Sequence, residues 1–485
     1  MRKKLAELEL LSRQLDPAGD VRKRLHEQTG HYAESFLDDL PTMKTYVRDH
    51  GSKGFTGSPI GEQPTEMSEL LAFYRREVDT TGILPCSGGQ LGYIPGGGLF
   101  PSALGNFLAG ISNRYSGVAF AGPGAARMEH SLLEWMCRLA GYPDVARGDL
   151  TSGGSTATLS ALVTARDACG INHRQIPGAC IYLTDHAHHC VGKSLHVAGL
   201  KDVQVRTVPM DAHFRMDADA LRQVIRDDRS QKLNPWLVIA SAGTTDTGAV
   251  DPISDIATVA AEYDLWFHLD AAYGGFFLLC EESREKFNGV ELADSIVMDP
   301  HKGLGLPYGT GAVLIRDGRL LARSNAYYAD YMQDAKQVDH DPATEFSPAD
   351  YSLELTRPSR GPGMWFPLKL FGLKAFRASL AEKVWLARYF HQELGKLEDF
   401  EAGPYPDLSI VTFRYRPRRG DSEIVNRRLL EAVHRDGRVF ITSTRIDGKF
   451  TLRLAVLNFR THLETIDYLL KILQEEAGRL STAAA

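Results

Sequence analysis

The feature that most constrains this chain is the stretch from residue 179 to 315, where short apolar, β-branched runs alternate with helical patterns. That alternation is the signature of a parallel sheet with helices on its faces. It predicts strands at 179–184, 203–208, 236–241, 266–270, 295–299 and 311–315, and between two of them Ile253, Ile256, Ala257 and Ala260 recur at helical spacing. The fold class read from this pattern is α/β, a mainly parallel sheet flanked by helices. In open sheets of this type ligands bind beyond the carboxyl ends of the strands, so polar residues just past those ends are the ones to inspect. The rule singles out His188, Thr245, Asp270 and Lys302.

The motif Asp299-Pro300-His301-Lys302-Gly303 puts a lysine where a strand ends and a cleft begins. Such an amine is a nucleophile if desolvation or a neighbouring charge keeps it reactive. His268-Leu269-Asp270-Ala271-Ala272-Tyr273-Gly274-Gly275 puts an acid at the end of another strand, followed by small residues that permit close approach. A carboxylate facing a pyridine nitrogen keeps the ring protonated and makes it a better electron sink. Thr151-Ser152-Gly153-Gly154-Ser155-Thr156 opens a helix, gathering bared N–H groups and hydroxyls at a positive helix end suited to a phosphate. Gly243-Thr244-Thr245-Asp246-Thr247-Gly248 follows a strand too, and its hydroxyls can reach a ring oxygen.

Taken singly, each motif has a plain structural alternative: a surface lysine, a capping or turn aspartate, ordinary helix capping, turn-forming residues. The presence of Lys302 beside Asp270 favours the chemical reading. Asp185-His186-Ala187-His188-His189-Cys190 invites a metal, but structural zinc spacings are absent and nothing supplies a second ligand pair, so no metal is expected. One imidazole stacked on a planar cofactor is the better role, with His186 and His189 read as solvated or core residues.

Composition excludes several other classes. A formal net charge of −6 over 485 residues gives no general electrostatic reason to bind nucleic acid or anionic lipid. Glu7 and Glu9 interrupt the apolar positions after Arg2, Lys3 and Lys4, so no secretory core is expected, and no run approaches the roughly 18 apolar residues of a membrane span. The expected location is cytoplasmic. Six scattered cysteines without a C-x-x-C pair argue against a disulfide framework.

The expected organisation is an N-terminal helical segment over 1–85 that wraps another surface, a large domain over 86–370, and a small C-terminal α+β domain over 371–485. Residues 323–363 read as a long functional loop carrying Tyr327, Tyr328, Tyr331 and Tyr351. The chain ends in a predicted helix with Thr461 and Glu464 as a capping box and Leu463, Ile466, Leu470 and Leu473 inward.

In their order, these motifs resemble the pyridoxal-5'-phosphate (PLP) decarboxylases of the aromatic-L-amino-acid and glutamate decarboxylase group, in the aspartate aminotransferase fold, type I. The resemblance spans about residues 85 to 370. It implies that Lys302 is the Schiff-base lysine, Asp270 the partner of the pyridine nitrogen and His188 the stacked imidazole. It further implies that Gly154, Ser155 and His301 hold phosphate, with Thr245 and Ala272 near the ring. Asp299 stands where some relatives have Asn, and Thr156 replaces an acid common after the phosphate serine. A loop tyrosine is implied to return a proton to the substrate carbon after carbon dioxide leaves; Tyr351 is the candidate, with Tyr327, Tyr328 and Tyr331 as rivals.

The implied reaction is decarboxylation of an L-amino acid to its amine. The alternatives are another fold-type-I carbon–carbon lyase resembling sphingosine-phosphate lyase, oxidative decarboxylation to an aldehyde, or a PLP-binding protein without turnover. Leu91-Gly92-Tyr93-Ile94-Pro95-Gly96 resembles the family's substrate-facing segment, although Gly96-Gly97-Gly98 lacks a side chain usual there. Tyr93, Phe100 and Trp365 are expected to offer aromatic walls, which leans the substrate toward an aromatic amino acid. A homodimer with the active site near the interface is implied as well.

Overall fold

The structure is a computed structural model that describes residues 1–49, 51, 54–94, 96–327 and 346–483. A seven-stranded sheet forms its centre, from β1 (Arg147–Thr151), β2 (Ala179–Leu183), β3 (Gln204–Thr207), β4 (Asn234–Ser241), β5 (Trp266–Asp270), β6 (Ser295–Met298) and β7 (Gly311–Ile315), in the order β1-β7-β6-β5-β4-β2-β3. Neighbours from β3 to β6 pair in parallel, and β7 runs antiparallel to both β6 and β1. All six expected strands are present; β1 is an addition.

Both faces of the sheet are covered, which is why its strands read as continuous apolar runs. Val238 and Ala240 of β4 join Phe267, Leu269 and Leu314 in one core. The intervening Leu237 and Ile239 face the opposite way, into a second core with Val313, Ile315 and the helix Gly154–Ala168. Each such fully buried aliphatic side chain stabilises the fold by about 1.5–3 kcal/mol. Helix Ile253–Tyr263 buries all four residues expected of it.

β1 is anchored by charge as well as by Leu150, which is buried in the first core. Arg357, whose side chain is completely buried, donates to Glu129 at 2.9 Å, to Asp149 of β1, and to the Leu150 carbonyl at 2.6 Å. Arg360 donates to the same carbonyl at 3.0 Å and pairs with Glu354 at 2.7 Å. This knot ties the return of the 323–363 segment to the strand that leads into Gly154.

A second sheet, of β8 (Phe400–Ala402), β9 (Ile410–Tyr415), β10 (Thr442–Ile446) and β11 (Lys449–Ala455), is antiparallel throughout in the order β8-β9-β11-β10. It packs on helices Ser422–Asp436 and Leu463–Ala483 and on the later turns of helix Gly361–Leu394, which is broken at Gly372 (φ 68°). In the last helix Ile466, Leu470 and Leu473 are buried as expected, but Leu463 is exposed. Thr461 does not cap that helix through its hydroxyl, which donates instead to the Gly88 carbonyl at 2.6 Å. The N-terminal helices Arg2–Ser12, Gly19–Asp39 and Met67–Tyr74 bury no residue. Among the described residues no helix is long and apolar enough to cross a membrane.

Candidate active site

The carboxyl ends of β1, β2, β4, β5 and β6 converge on a cavity of about 370 Å³. Its wall includes Gly154, Ser155, His188, Thr245, Asp270, Ala272, Asp299, His301 and Lys302. Every sequence-predicted cofactor residue therefore comes to one place, because each follows a strand whose end the sheet brings there.

One end of the cavity meets the positive end of a helix. Helix Gly154–Ala168 starts at its wall, and the cap residue Gly153 makes no side-chain capping hydrogen bond, so the positive helix end is left to a ligand. A Cβ at position 154 would come within 2.7 Å of Asp299 Oδ2, so the carboxylate would have to shift. His301 is held beside this end by two bonds to the Thr310 carbonyl, from its backbone N–H at 3.2 Å and its Nδ1 at 2.6 Å. Burial pushes its pKa down, so it is neutral.

Lys302 Nζ lies 3.1 Å from Asp299 Oδ2. Burial by itself pulls the lysine pKa down, but the Asp299 and Asp270 carboxylates outweigh it and the net shift is upward. Asp270, the last residue of β5, accepts the Ala272 N–H at 3.1 Å, which fixes its carboxylate over the small residues that follow. Those residues must be small: a Cβ on Gly274 would lie 2.0 Å from the Ala242 carbonyl oxygen. His188 Nδ1 accepts the Cys190 N–H at 3.3 Å, so the neutral ring carries its proton on Nε2. Burial lowers the His188 pKa and raises that of the neighbouring Cys190 thiol to about 12, leaving both uncharged.

Tyr351 is not brought to this cavity. Its ring stacks on Phe346 at 4.9 Å, Phe346 stacks in turn on His130 at 4.7 Å, and the tyrosine packs against both apolar cores. Apolar burial has captured a ring that the sequence placed on a catalytic loop. Of the rival tyrosines Tyr327 is exposed, and Tyr328 and Tyr331 lie outside the described residues. Tyr93, Phe100 and Trp365 are also absent from the wall of the cavity. The segment before Pro95, itself outside the described residues, is bound to the small sheet through Leu91, which hydrogen-bonds Phe440 and Ala455.

Residues 90–416 match the pyridoxal-dependent decarboxylase conserved domain. An aromatic-L-amino-acid decarboxylase of Bacillus atrophaeus is 33% identical over 91% of this chain and 92% of its own length. The chain belongs to the pyridoxal-dependent decarboxylase family. A tryptophan decarboxylase of Oryza sativa subsp. japonica is 28% identical over 80% of each chain. A solved structure of Oryza sativa TDC with PLP and tryptamine superposes with a TM-score of 0.89 at 24% identity, covering 96% of this chain and 99% of that one. Mouse CSAD superposes at 0.86 and 23% identity over 95% and 99%. The fold is thus that of the PLP decarboxylases, and the chain is a PLP-dependent amino-acid decarboxylase.

The residues present fit PLP. An uncapped helix end, an amine and a carboxylate line one cavity, and these are the groups that a phosphate, an aldehyde and a protonated pyridine nitrogen require. Sequence reasoning missed several members of the wall. Ser241 ends β4 and satisfied the strand-end rule, and Thr158 sits one helical turn after Gly154. His186, read as solvated or core, also reaches the wall. Arg453 was missed as well: it is buried in β11, and its Nε donates to the Thr245 carbonyl at 2.8 Å and its Nη1 to the Tyr93 carbonyl at 2.7 Å. It pins the Thr245 turn to the small sheet, and no local pattern marks it.

Proposed function

We propose that this decarboxylase acts on an aromatic L-amino acid and that Lys302, Asp270 and His188 carry the chemistry. The observation behind the residue assignment is that amine, acid and imidazole line a single cavity beside an uncapped helix end. Support for the aromatic substrate comes from the relative named an aromatic-L-amino-acid decarboxylase, aligned over nearly the whole chain.

On this reading Gly154, Ser155 and His301 would hold the phosphate, Lys302 would attach the cofactor covalently, and Asp270 would keep a proton on the ring nitrogen. His188 would pack against the cofactor, with Thr245, Ala272 and Asp299 as further lining residues. Bound there, PLP supplies the electron sink that accepts the pair released when the bond to the carboxylate breaks. The residues lining the cavity would choose that bond by orienting the substrate carboxylate, and would limit side reactions where they exclude water. The proton comes from a tyrosine of the 323–363 segment. Tyr351 must leave its stack on Phe346 to deliver it.

A panel of L-amino acids assayed for carbon dioxide release tests the substrate. Tryptophan, tyrosine or phenylalanine should be turned over ahead of glutamate and aspartate. Preference for an acidic substrate would overturn the aromatic assignment, and PLP-loaded protein inert to the whole panel would overturn turnover itself.

We also infer a homodimer, with a large domain over 86–370, a small one over 371–485 that takes over near the break at Gly372, and the first 85 residues lying on the partner. Three N-terminal helices bury nothing, and Leu104, Phe107, Leu108 and Ile111 form an exposed apolar stripe on helix Phe100–Ser112. Sedimentation should give twice the chain mass. A fully active monomer at all concentrations would refute it.

A further inference from the structure

Asp299 is 1% exposed, and its carboxylate is only half satisfied. Oδ2 faces Lys302 Nζ at 3.1 Å and His301 Nε2 at 3.7 Å, while the buried Oδ1 has no hydrogen-bond partner among the described residues. A buried carboxylate in that state is costly unless a cation stands against it.

His301 is not that cation, because burial pushes its pKa down and favours the neutral ring. Its Nδ1 lies 2.6 Å from the Thr310 carbonyl oxygen, which can only accept, so Nδ1 keeps its proton. The neutral ring then turns a bare lone pair at Nε2 toward Asp299. Lys302 is left as the one charged partner of Asp299 among the described contacts.

The groups around Lys302 lead to the same pairing from the other side. Asp299 on its own turn and Asp270 at the end of β5 raise its pKa, whereas His188, His301, Tyr308 and the Cys190 thiol are neutral neighbours whose own shifts disfavour charge. The pair is also rigid. Both residues belong to one turn, closed by the Lys302 N–H on the Asp299 carbonyl at 2.9 Å, and a Cβ on Gly154 or Gly311 would come within 2.7 Å of the carboxylate.

We propose that Asp299 is a docking counter-ion that holds the Lys302 amine charged and out of the way whenever that amine is not bonded to the cofactor. Asp299 is thus a positioning residue acting through Lys302. When the substrate amine replaces Lys302 on the cofactor, the protons shed by the incoming ammonium would end on the freed Lys302 amine, whose positive charge Asp299 then holds. The inference rests on the assignment of Lys302 as the attachment residue.

The test uses the full-length chain stripped of PLP. Acetylation of Lys302 is followed against pH by peptide mass spectrometry, with the exposed Lys471 as internal reference. In the wild type the Lys302 midpoint should lie above the ordinary lysine value of about 10.4. In Asp299→Asn it should fall by at least about one unit, so that labelling of Lys302 relative to Lys471 near pH 8 rises about tenfold. A wild-type midpoint at or below the ordinary value overturns the proposal, even if the variant cannot be purified. Coincident curves for the two proteins overturn it too. Borohydride reduction of the PLP-loaded wild type separates this failure from the larger one: a mark on another residue removes Lys302 as the attachment point, while a mark on Lys302 with an unmoved titration removes only Asp299.

Discussion

Replacing Lys302 by alanine is expected to end covalent retention of the cofactor and to lower kcat by about three orders of magnitude or more, the scale on which nucleophilic and acid–base groups contribute. Among the residues lining the cavity Lys302 is the single lysine, so no neighbouring amine can substitute for it. The helix end at Gly154 and the Asp270 carboxylate are untouched by the change. PLP should therefore still enter, but leave on dialysis. Borohydride reduction followed by mass spectrometry should add the cofactor mass to the wild-type peptide containing Lys302 and to no peptide of the variant. Retained turnover in Lys302→Ala, or an adduct on a different lysine, would refute the assignment of this amine.

Arg357→Met should have the largest effect on stability. Removing one partner of a buried ion pair costs about 3–5 kcal/mol because it strands the other charge, and Arg357 answers two carboxylates, Glu129 and Asp149. Against a typical total stability of about 5–15 kcal/mol, that loss threatens the fold itself. Burial already pushes the pKa of both acids up despite the arginine. A carboxyl whose pKa is higher folded than unfolded destabilises the fold above that folded pKa, and the penalty is relieved as falling pH protonates it. Without Arg357 both pKa values must rise further. The deficit should be greatest in neutral and alkaline solution and should shrink toward about pH 5. Urea denaturation at the two pH values measures it. A variant as stable as the wild type at neutral pH would show that the knot is dispensable.

The contrast between β4 and β1 explains how much of the fold was legible. β4 is buried on both faces and reads as an apolar run that no loop would carry. β1, with the sequence Arg-Gly-Asp-Leu-Thr, is as thoroughly buried from Gly148 onward, yet its Asp149 is tolerated only because Arg357 arrives from 208 positions away. Local patterning cannot show such a partner. The residues lining the candidate site were legible for the opposite reason: Asp270 and Lys302 need only a strand end to reach the cavity, which is a local feature. Tyr351 shows the limit of that reasoning, since its loop position is plain in the sequence while the Phe346 stack that holds its ring depends on packing. Arg453 fails the same way, for the carbonyls it binds belong to residues 245 and 93.

The antiparallel pairing of β1 with β7 has a consequence for how the protein matures. Thr151, the last residue before the turn that opens helix Gly154–Ala168, is registered against Gly311, so the one strand paired with β1 among the described residues is made much later in synthesis. An emerging chain that stops short of residue 311 lacks the neighbour that fixes this edge of the sheet. The wall of the cavity that would take a vitamin B6 cofactor is therefore complete only once β7 has joined the sheet.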